Sequence, residues 1–191
     1  MTNQDKFTKN SKSDKIHLYL IGLCLVIFMV GLDQLTKYLA VIKLKGQPSV
    51  VLIKNVFELH YLENQGAAFS MLQGKKMFFI IITVFMIVCL TYILGRIPAK
   101  KPFFVFHGII IALIAGAIGN FIDRIRFDYV IDFFYFSLIN FPIFNVADIY
   151  ITCAMILFVI VFLFFCKEED LDQLWRLIKP GKNKHGESKH E

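Results

Sequence analysis

The chain has 191 residues, of which 57% are hydrophobic, and its mean hydropathy is +0.60. Soluble domains are closer to half apolar, so this composition indicates a membrane protein. A net charge of +6 is compatible with nucleic-acid binding, but the basic residues sort by loop, and membrane topology explains them better. We therefore expect no nucleic-acid partner.

Four apolar segments are each about long enough to cross roughly 30 Å of hydrocarbon as a helix. They are Ile16 to Leu32, Met77 to Gly95, Phe103 to Ile122 and roughly Phe144 to Cys166. The first has the basic start of a secretory signal, but no small-x-small cleavage site closes it and three more segments follow. The sequence predicts a mainly α membrane protein with four transmembrane helices in one domain, residues 16–166.

Lys and Arg residues are distributed unequally among the segments outside these spans. Four precede the first span, three lie between the second and third, and six follow the fourth, whereas the other two loops hold five and two. The positive-inside rule then places both termini in the cytoplasm and the loops at 42–76 and 123–143 outside.

The two ends of the chain differ from the spans in composition. Residues 1–15 are polar and are predicted to be a disordered cytoplasmic N-terminus. The cytoplasmic tail, 167–191, begins with "KEEDLDQLWRLIKP", whose apolar residues fall on one helical face. This pattern predicts a short interfacial helix.

The first outside loop carries signals for β-structure. A β-branched run, "VVLI", precedes a turn at Lys54-Asn55, and apolar and polar residues then alternate in "FELHYLEN". Such alternation is typical of a half-buried strand, so we expect a small hairpin or sheet between the first two spans, at the outer membrane surface. Gly66, which follows, allows a close approach of the backbone to another group.

Ionisable and amide side chains at membrane depth are costly and usually mark function. Here they collect at the outer ends of three spans and in the outside segments, which predicts a single polar site near the outer interface. They are Asp33 and Lys37 in the first span, Asn64 in the loop, Asn120, Asp123 and Arg124 at the end of the third span, Asp132 beyond it, and Asn145 and Asp148 at the start of the fourth.

Most of these residues also have a purely structural interpretation, as an ion pair, a turn or a cap. The alternatives are pairing of Asp33 with Lys37, pairing of Asp123 with Arg124 and Arg126, a solvated loop position for Asp128, a turn for Asn64 and a helix cap for Asn145.

Asp132 and Asp148 lack a local cation: "YVIDFFYF" and "FNVADIYI" are largely apolar and contain no Lys or Arg. Burial disfavours the charged form of an unpaired carboxylate. Two such groups brought together share one proton, as in aspartic proteases, where one carboxylate activates water and the other polarises the scissile carbonyl. The residues themselves narrow the chemistry to carboxylates without selecting the pair.

Other chemistries have weaker support. The chain contains no GxSxG, no HExxH and no Gly-rich phosphate loop. No two of its four cysteines have the spacing of metal ligands, and we expect them to be buried apolar residues. We therefore expect no metal and no cofactor. A proton-relay transporter would spread polar groups through the bilayer depth, and a scaffold would not need paired aspartates.

Five blocks in order, "DQLTK", "NQGAAFS", "GNFIDR", "VIDF" and "FNVAD", resemble those of the bacterial lipoprotein signal peptidases, also called signal peptidase II. The resemblance covers roughly residues 17 to 166. It implies an aspartic membrane protease that cuts prolipoproteins before a diacylglyceryl-modified cysteine, without a metal. It assigns catalysis to Asp132 and Asp148 and polar support to Asp33, Asn64, Asn120, Arg124 and Asn145, and Asp123 also matches a family position. We add Lys37 and Gly66 to the predicted support or substrate-binding residues.

The resemblance also implies partners and a location. We expect the lipid-modified prolipoprotein and membrane lipids as partners, a monomer, and a multi-pass protein of the bacterial cytoplasmic membrane with its active site near the outer face. The aromatic connection 133–144 is expected to form a membrane-hugging flap that contacts lipid or substrate acyl chains, or else to be a simple interfacial anchor.

Overall fold

The computed structural model of the protein describes residues 12–66, 76–100 and 103–164. Its elements, in chain order, are α1 (Lys12–Leu44), β1 (Val50–Ile53), β2 (Phe57–Asn64), α2 (Lys76–Arg96), α3 (Phe104–Phe127), β3 (Val130–Tyr135), a short 3₁₀ helix (Ser137–Ile139) and α4 (Val146–Phe164). The four predicted spans are confirmed as helices long and apolar enough to cross a membrane.

α3 lies at the centre of the bundle and packs against α1, α2 and α4. Two of its glycines allow this close packing, because an added Cβ at Gly116 would lie 2.6 Å from the Ala147 carbonyl oxygen, and one at Gly119 would lie 2.5 Å from Asp33 Oδ2. Small residues are the usual means by which membrane helices approach each other. The other three helices expose most of their apolar side chains at the bundle surface.

Two helices extend beyond the apolar runs that predict them. α1 continues from the end of its run to Leu44, and the chain then turns at Gly46, where φ is +73°. α3 continues to Phe127 and ends at Asp128, which is left-handed. Both helices thus enter the segments 42–76 and 123–143 that were predicted as outside loops. The polar residues that interrupt the apolar runs do not break the helices, because they are paired inside the bundle.

At the other end, α1 begins at Lys12, inside the segment 1–15 predicted to be disordered. Residues 1–11, and the tail 167–191 with its predicted interfacial helix, lie outside the described residues.

The predicted hairpin between α1 and α2 is confirmed. β1 and β2 pair antiparallel, Val50 opposite Leu59, around a turn in which Asn55 adopts a φ of 59°. The sheet also has a third strand that the sequence analysis missed, since β3 pairs with β2 on its other side, in the order β1-β2-β3. β3 is mostly buried on both faces, so "VIDFFY" lacks the alternation that identifies a half-buried strand.

This third strand includes the start of the segment 133–144, which was expected to form a flap or an interfacial anchor. Residues 133–135 belong to β3, and Phe134 exchanges backbone hydrogen bonds of 2.8 and 3.0 Å with Phe144. The connection is therefore folded back on the sheet at both ends. Only the turn between them, with Leu138 and Ile139 each 67% exposed, remains free to contact a membrane.

The cysteines also differ from expectation, because Cys24 and Cys153 are exposed on the bundle surface. Inside a bilayer the hydrocarbon solvates apolar side chains as well as a protein core does. Apolar character in a span therefore does not predict burial against protein.

Candidate active site

A buried cation connects α1 to α3 at the end of the bundle where the sheet lies. Lys37 is 1% exposed, and its Nζ lies 2.9 Å from Asp33 Oδ2, 2.9 Å from Asp123 Oδ2 and 2.9 Å from Asn120 Oδ1. Buried charges persist only when they are paired and hydrogen-bonded. All three protons of the ammonium are thereby matched to acceptors.

The two carboxylates paired with Lys37 each hold the backbone just before another aspartate. Asp123 Oδ2 accepts a hydrogen bond from the amide of residue 131, at 3.2 Å, and Asp33 Oδ1 accepts one from the amide of residue 147, at 2.9 Å. The second bond satisfies one of the free N–H groups at the start of α4. One lysine therefore fixes, through two carboxylates, the backbone positions that precede both Asp132 and Asp148.

Asp132 lies on β3 and is 2% exposed. Its Oδ1 accepts a hydrogen bond of 2.6 Å from Asn145 Nδ2, and its Oδ2 accepts one of 2.8 Å from Asn64 Nδ2. Burial raises the pKa of Asp132 to about 7, and repulsion by Asp148 adds to this, while the two amides and the Lys37 charge oppose it. Asp132 therefore holds its proton to a much higher pH than a free aspartate does.

Asp148 occupies the first turn of α4 and forms a reciprocal cap with Asn145. The Asp148 amide donates to Asn145 Oδ1 at 3.0 Å, and the Asn145 amide donates to Asp148 Oδ2 at 3.1 Å. This is the capping-box arrangement with Asn and Asp in place of Ser and Glu. It leaves Asp148 Oδ1 to accept a hydrogen bond of 2.8 Å from Asn120 Nδ2.

Two amides connect the two aspartates. Asn145 Nδ2 contacts both Asp132 Oδ1, at 2.6 Å, and Asn120 Oδ1, at 3.1 Å, and Asn120 in turn donates to Asp148. The cap predicted as a structural alternative for Asn145 is thus present, and the same side chain also contacts the second aspartate.

Arg124 and Gly66 form one edge of the site. Arg124 Nη2 donates to the Gly66 carbonyl oxygen at 3.2 Å, and the guanidinium carbon lies 4.8 Å from the centre of the Phe79 ring. The Gly66 amide donates to Asn64 Oδ1 at 3.0 Å, which fixes the orientation of the Asn64 amide toward Asp132.

All ten residues predicted for the site are therefore placed in one connected network, and two further residues join it. Gln34 Nε2 donates to Asp123 Oδ1 at 2.9 Å and to the Gly119 carbonyl oxygen at 3.2 Å. An amide side chain within an apolar span is the signal that identifies Gln34 in the sequence. Phe79 carries no such signal, since it lies in an apolar run. Asp128 forms an ion pair with Lys76 outside this network.

A cavity of about 550 Å³ opens onto the network. Both Asp132 and Asp148 line it, together with Arg124, so the two carboxylates face one space. The opposite wall is apolar and comes from the segment 141–144 and from α4. Among residues 12–66, 76–100 and 103–164, no three His, Cys, Asp or Glu side chains are grouped so that they could hold a metal ion.

Comparisons with known proteins identify the family. A family model described as signal peptidase (SPase) II matches residues 25–164. A lipoprotein signal peptidase of Caldanaerobacter subterraneus subsp. tengcongensis is 44% identical over 138 residues, which are 72% of this chain and 92% of that protein. One of Streptococcus thermophilus is 40% identical over 136 residues, 71% of this chain and 88% of that protein.

The fold matches as well. A solved bacterial membrane enzyme structure is similar with a TM-score of 0.65 at 34% identity, covering 76% of this chain and 94% of that chain. The family match includes every site residue described above. The chain is a multi-pass bacterial membrane peptidase and belongs to the signal peptidase II family.

Proposed function

We propose that Asp132 and Asp148 are the catalytic pair that cleaves a prolipoprotein on the amino side of its diacylglyceryl-modified cysteine. The observation that carries this proposal is that both carboxylates line one cavity and are connected through the amides of Asn120 and Asn145. Relatives named lipoprotein signal peptidases support the choice of substrate.

The pKa of Asp132 supports an acid–base mechanism at neutral pH. With a pKa of about 7 beside a second carboxylate, the pair holds one proton over the working range. The ionised carboxylate takes a proton from water while the water oxygen attacks the scissile carbonyl carbon. The protonated carboxyl group donates its proton to the carbonyl oxygen. Collapse of the resulting gem-diol breaks the C–N bond, and the proton moves to the amine of the cysteine.

The surrounding network keeps these groups oriented before the substrate binds. Asn64, Asn120 and Asn145 present donors to the carboxylates, so rotation of either side chain would break a hydrogen bond. Arg124 lines the cavity, and we assign it to substrate carbonyl groups. Such preorganisation lowers the reorganisation needed in the transition state. Four further residues contact no substrate and instead hold the groups above, or the backbone beside the aspartates, in place. They are Gly66, Lys37, Asp33 and Asp123.

The cavity suits a lipid-bearing peptide. Its polar side holds the carboxylates, and its apolar wall, which includes Phe141, Phe144 and Ile149, can contact acyl chains. We place the site at the outer face of the cytoplasmic membrane with both termini in the cytoplasm, because the basic residues favour that topology. One chain supplies both aspartates and their partners, so we propose that a monomer is active.

Cleavage of a purified, diacylglyceryl-modified precursor tests the assignment. Asp132→Asn and Asp148→Asn should each lower kcat by at least about 10³-fold, as is typical for residues that act as a catalytic unit. Asp128→Asn is the matched control, because Asp128 pairs with Lys76 away from the cavity. Near-normal cleavage by either of the first two variants would remove that residue from the pair.

A further inference from the structure

A second cavity lies between α1, α2 and α3, toward the end of the bundle that is opposite the carboxylates. Its volume is about 470 Å³. α3 forms its floor and α1 and α2 form its walls, and we call it the rear groove. Its lining residues are Leu18, Tyr19, Gly22, Leu23, Val26, Ile87, Thr91, Leu94, Gly95, His107, Ile111, Ile114 and Ile118.

The walls and floor of the rear groove differ in exposure. The floor is buried, with His107 at 2% and Ile111 at 6% exposure, whereas Leu23 on one wall is 57% exposed. The walls are tied together at one end by a hydrogen bond of 3.4 Å from the Tyr19 hydroxyl to the Gly95 carbonyl oxygen. The groove is therefore a built slot with a closed floor and an open side, rather than a flat apolar face.

The length of the rear groove matches a lipid chain. The floor runs from His107 to Ile118, which is about 17 Å at about 1.5 Å per residue. A length of about 17 Å is close to one leaflet of a hydrocarbon core about 30 Å thick. The slot therefore has the length of a lipid chain from one leaflet.

The polarity of the rear groove changes along its length. Tyr19 and His107 lie at the end where α1 and α3 begin, and Val26, Ile87 and Ile118 lie at the inner end. This order matches that of a phospholipid, whose ester and glycerol groups are polar and whose chain ends are not.

A cation stands beyond the polar end of the rear groove. Lys15 is exposed one helical turn before Tyr19, on the same face of α1, since residues four apart are neighbours on a helix surface. Arg96, at the end of α2, is also exposed, but its guanidinium lies over the ring of Tyr92, 5.5 Å from the ring centre, outside the groove lining. The positive group of Lys15 favours a phosphate headgroup with a net negative charge.

From these features we infer that the rear groove is a binding site for an anionic phospholipid of the leaflet opposite the active site, with one acyl chain in the slot and the phosphate beside Lys15. The site is separate from the cavity that contains Asp132 and Asp148. It therefore does not depend on the catalytic roles proposed above.

Two glycines provide a matched pair of variants. A Cβ added at Gly95, which lines the groove, meets no atom within 4 Å, and neither does one added at Gly108 on the exposed face of α3. Gly95→Leu therefore adds a side chain at the groove with its Cβ in open space, and Gly108→Leu makes the same change outside it. Leucine also has a higher helix propensity than glycine. Thr91→Leu, on the α2 wall, is a second filling variant.

The test is photocrosslinking of the full-length protein in bilayers with phosphatidylglycerol that carries a diazirine on one acyl chain. Labelling in the wild type and in Gly108→Leu should map to residues 18–26 and 87–95, and should fall at least about five-fold in Gly95→Leu or Thr91→Leu. Phosphatidylcholine with the same chain should label less. Lys15→Gln should lower the preference for phosphatidylglycerol by about five-fold, the effect of one surface cation, whereas Arg96→Gln, outside the groove, should leave it unchanged.

Three outcomes would overturn the inference. Equal labelling of the wild type and both filling variants would show that the slot holds no chain. Equal labelling by phosphatidylglycerol and phosphatidylcholine would remove the role of Lys15. Loss of label when a lipidated precursor is added would make the groove a substrate site instead.

Discussion

Replacement of Asp132 by Asn tests whether burial controls the protonation of the site. A pKa raised from the ordinary value of 3.8 to about 7 corresponds to about 4 kcal/mol, at about 1.4 kcal/mol for each pH unit. Because the folded state holds the proton more tightly than the unfolded state, this contribution is fully present below about pH 4 and is lost as the pH rises through about 7. Ionisation of Asp132 should thus destabilise the wild type as the pH rises.

The Asp132→Asn variant would avoid that penalty and introduce a smaller one of its own. Asn145 and Asn64 both present N–H groups to the carboxylate, and neither amide can rotate without losing a second hydrogen bond, to the Asp148 amide or the Gly66 amide. The NH₂ group of the substituted side chain would therefore face a donor, which costs about 1–3 kcal/mol at every pH. The stability of the variant therefore reflects both the absent ionisation of Asp132 and the unfavourable contact of the new NH₂ group. Only the absent ionisation depends on pH.

The measurement is the free energy of unfolding in detergent micelles from pH 4 to pH 8. The variant should be less stable than the wild type at pH 4, and the difference should shift in its favour by on the order of 4 kcal/mol by pH 8. A difference that stays constant across this range would refute the argument that Asp132 takes up a proton in the folded state. Wild-type cleavage activity should fall over the same alkaline range, because the pair loses its shared proton.

Three further predictions concern the residues that support the site. Lys37→Met should lower the free energy of unfolding by about 3–5 kcal/mol, because it leaves two buried carboxylates without their cation; a loss below about 1 kcal/mol in the same micelle assay would contradict this. Gly119→Ala should reduce kcat at least about ten-fold, since its Cβ would displace Asp33 Oδ2; Gly108→Ala, with open space, is the control. Phe79→Leu should raise KM about two- to thirty-fold, because it removes the contact between Arg124 and the aromatic ring, which is worth about 0.5–2 kcal/mol. Phe79→Tyr keeps an aromatic ring and should keep KM near the wild-type value. An effect of Phe79→Leu that persists in an Arg124→Ala background would show that the ring does not act through the arginine.

The helices and the hairpin could be predicted from the sequence because each follows from a local pattern. Apolar runs of about twenty residues have one explanation in a chain of this kind, and the alternation in "FELHYLEN" identifies β2. The strand that carries Asp132 could not be found in this way. β3 is buried on both faces, and its partner lies far back along the chain, with Leu62 opposite Asp132.

The site residues could be listed from the sequence, but their division of labour could not. Asp33 looks like a partner for Lys37 four residues away, and that pair does form. Its other oxygen accepts from the amide of Ala147, 114 residues away along the chain. Such a contact depends on how α1 and α4 pack against α3, and side-chain spacing within one helix carries no information about it.

The arrangement around Lys37 has a consequence for how the enzyme matures. α1 supplies neither of the aspartates proposed to be catalytic, yet Lys37 and Asp33 of this helix hold the backbone next to both. A chain still being inserted, with α1 not yet docked or α4 not yet made, has no ordered pair of carboxylates. With this pair as the proposed catalytic centre, we expect peptide hydrolysis to begin only when the last helix has been added, so that newly made membrane proteins nearby are spared until that moment.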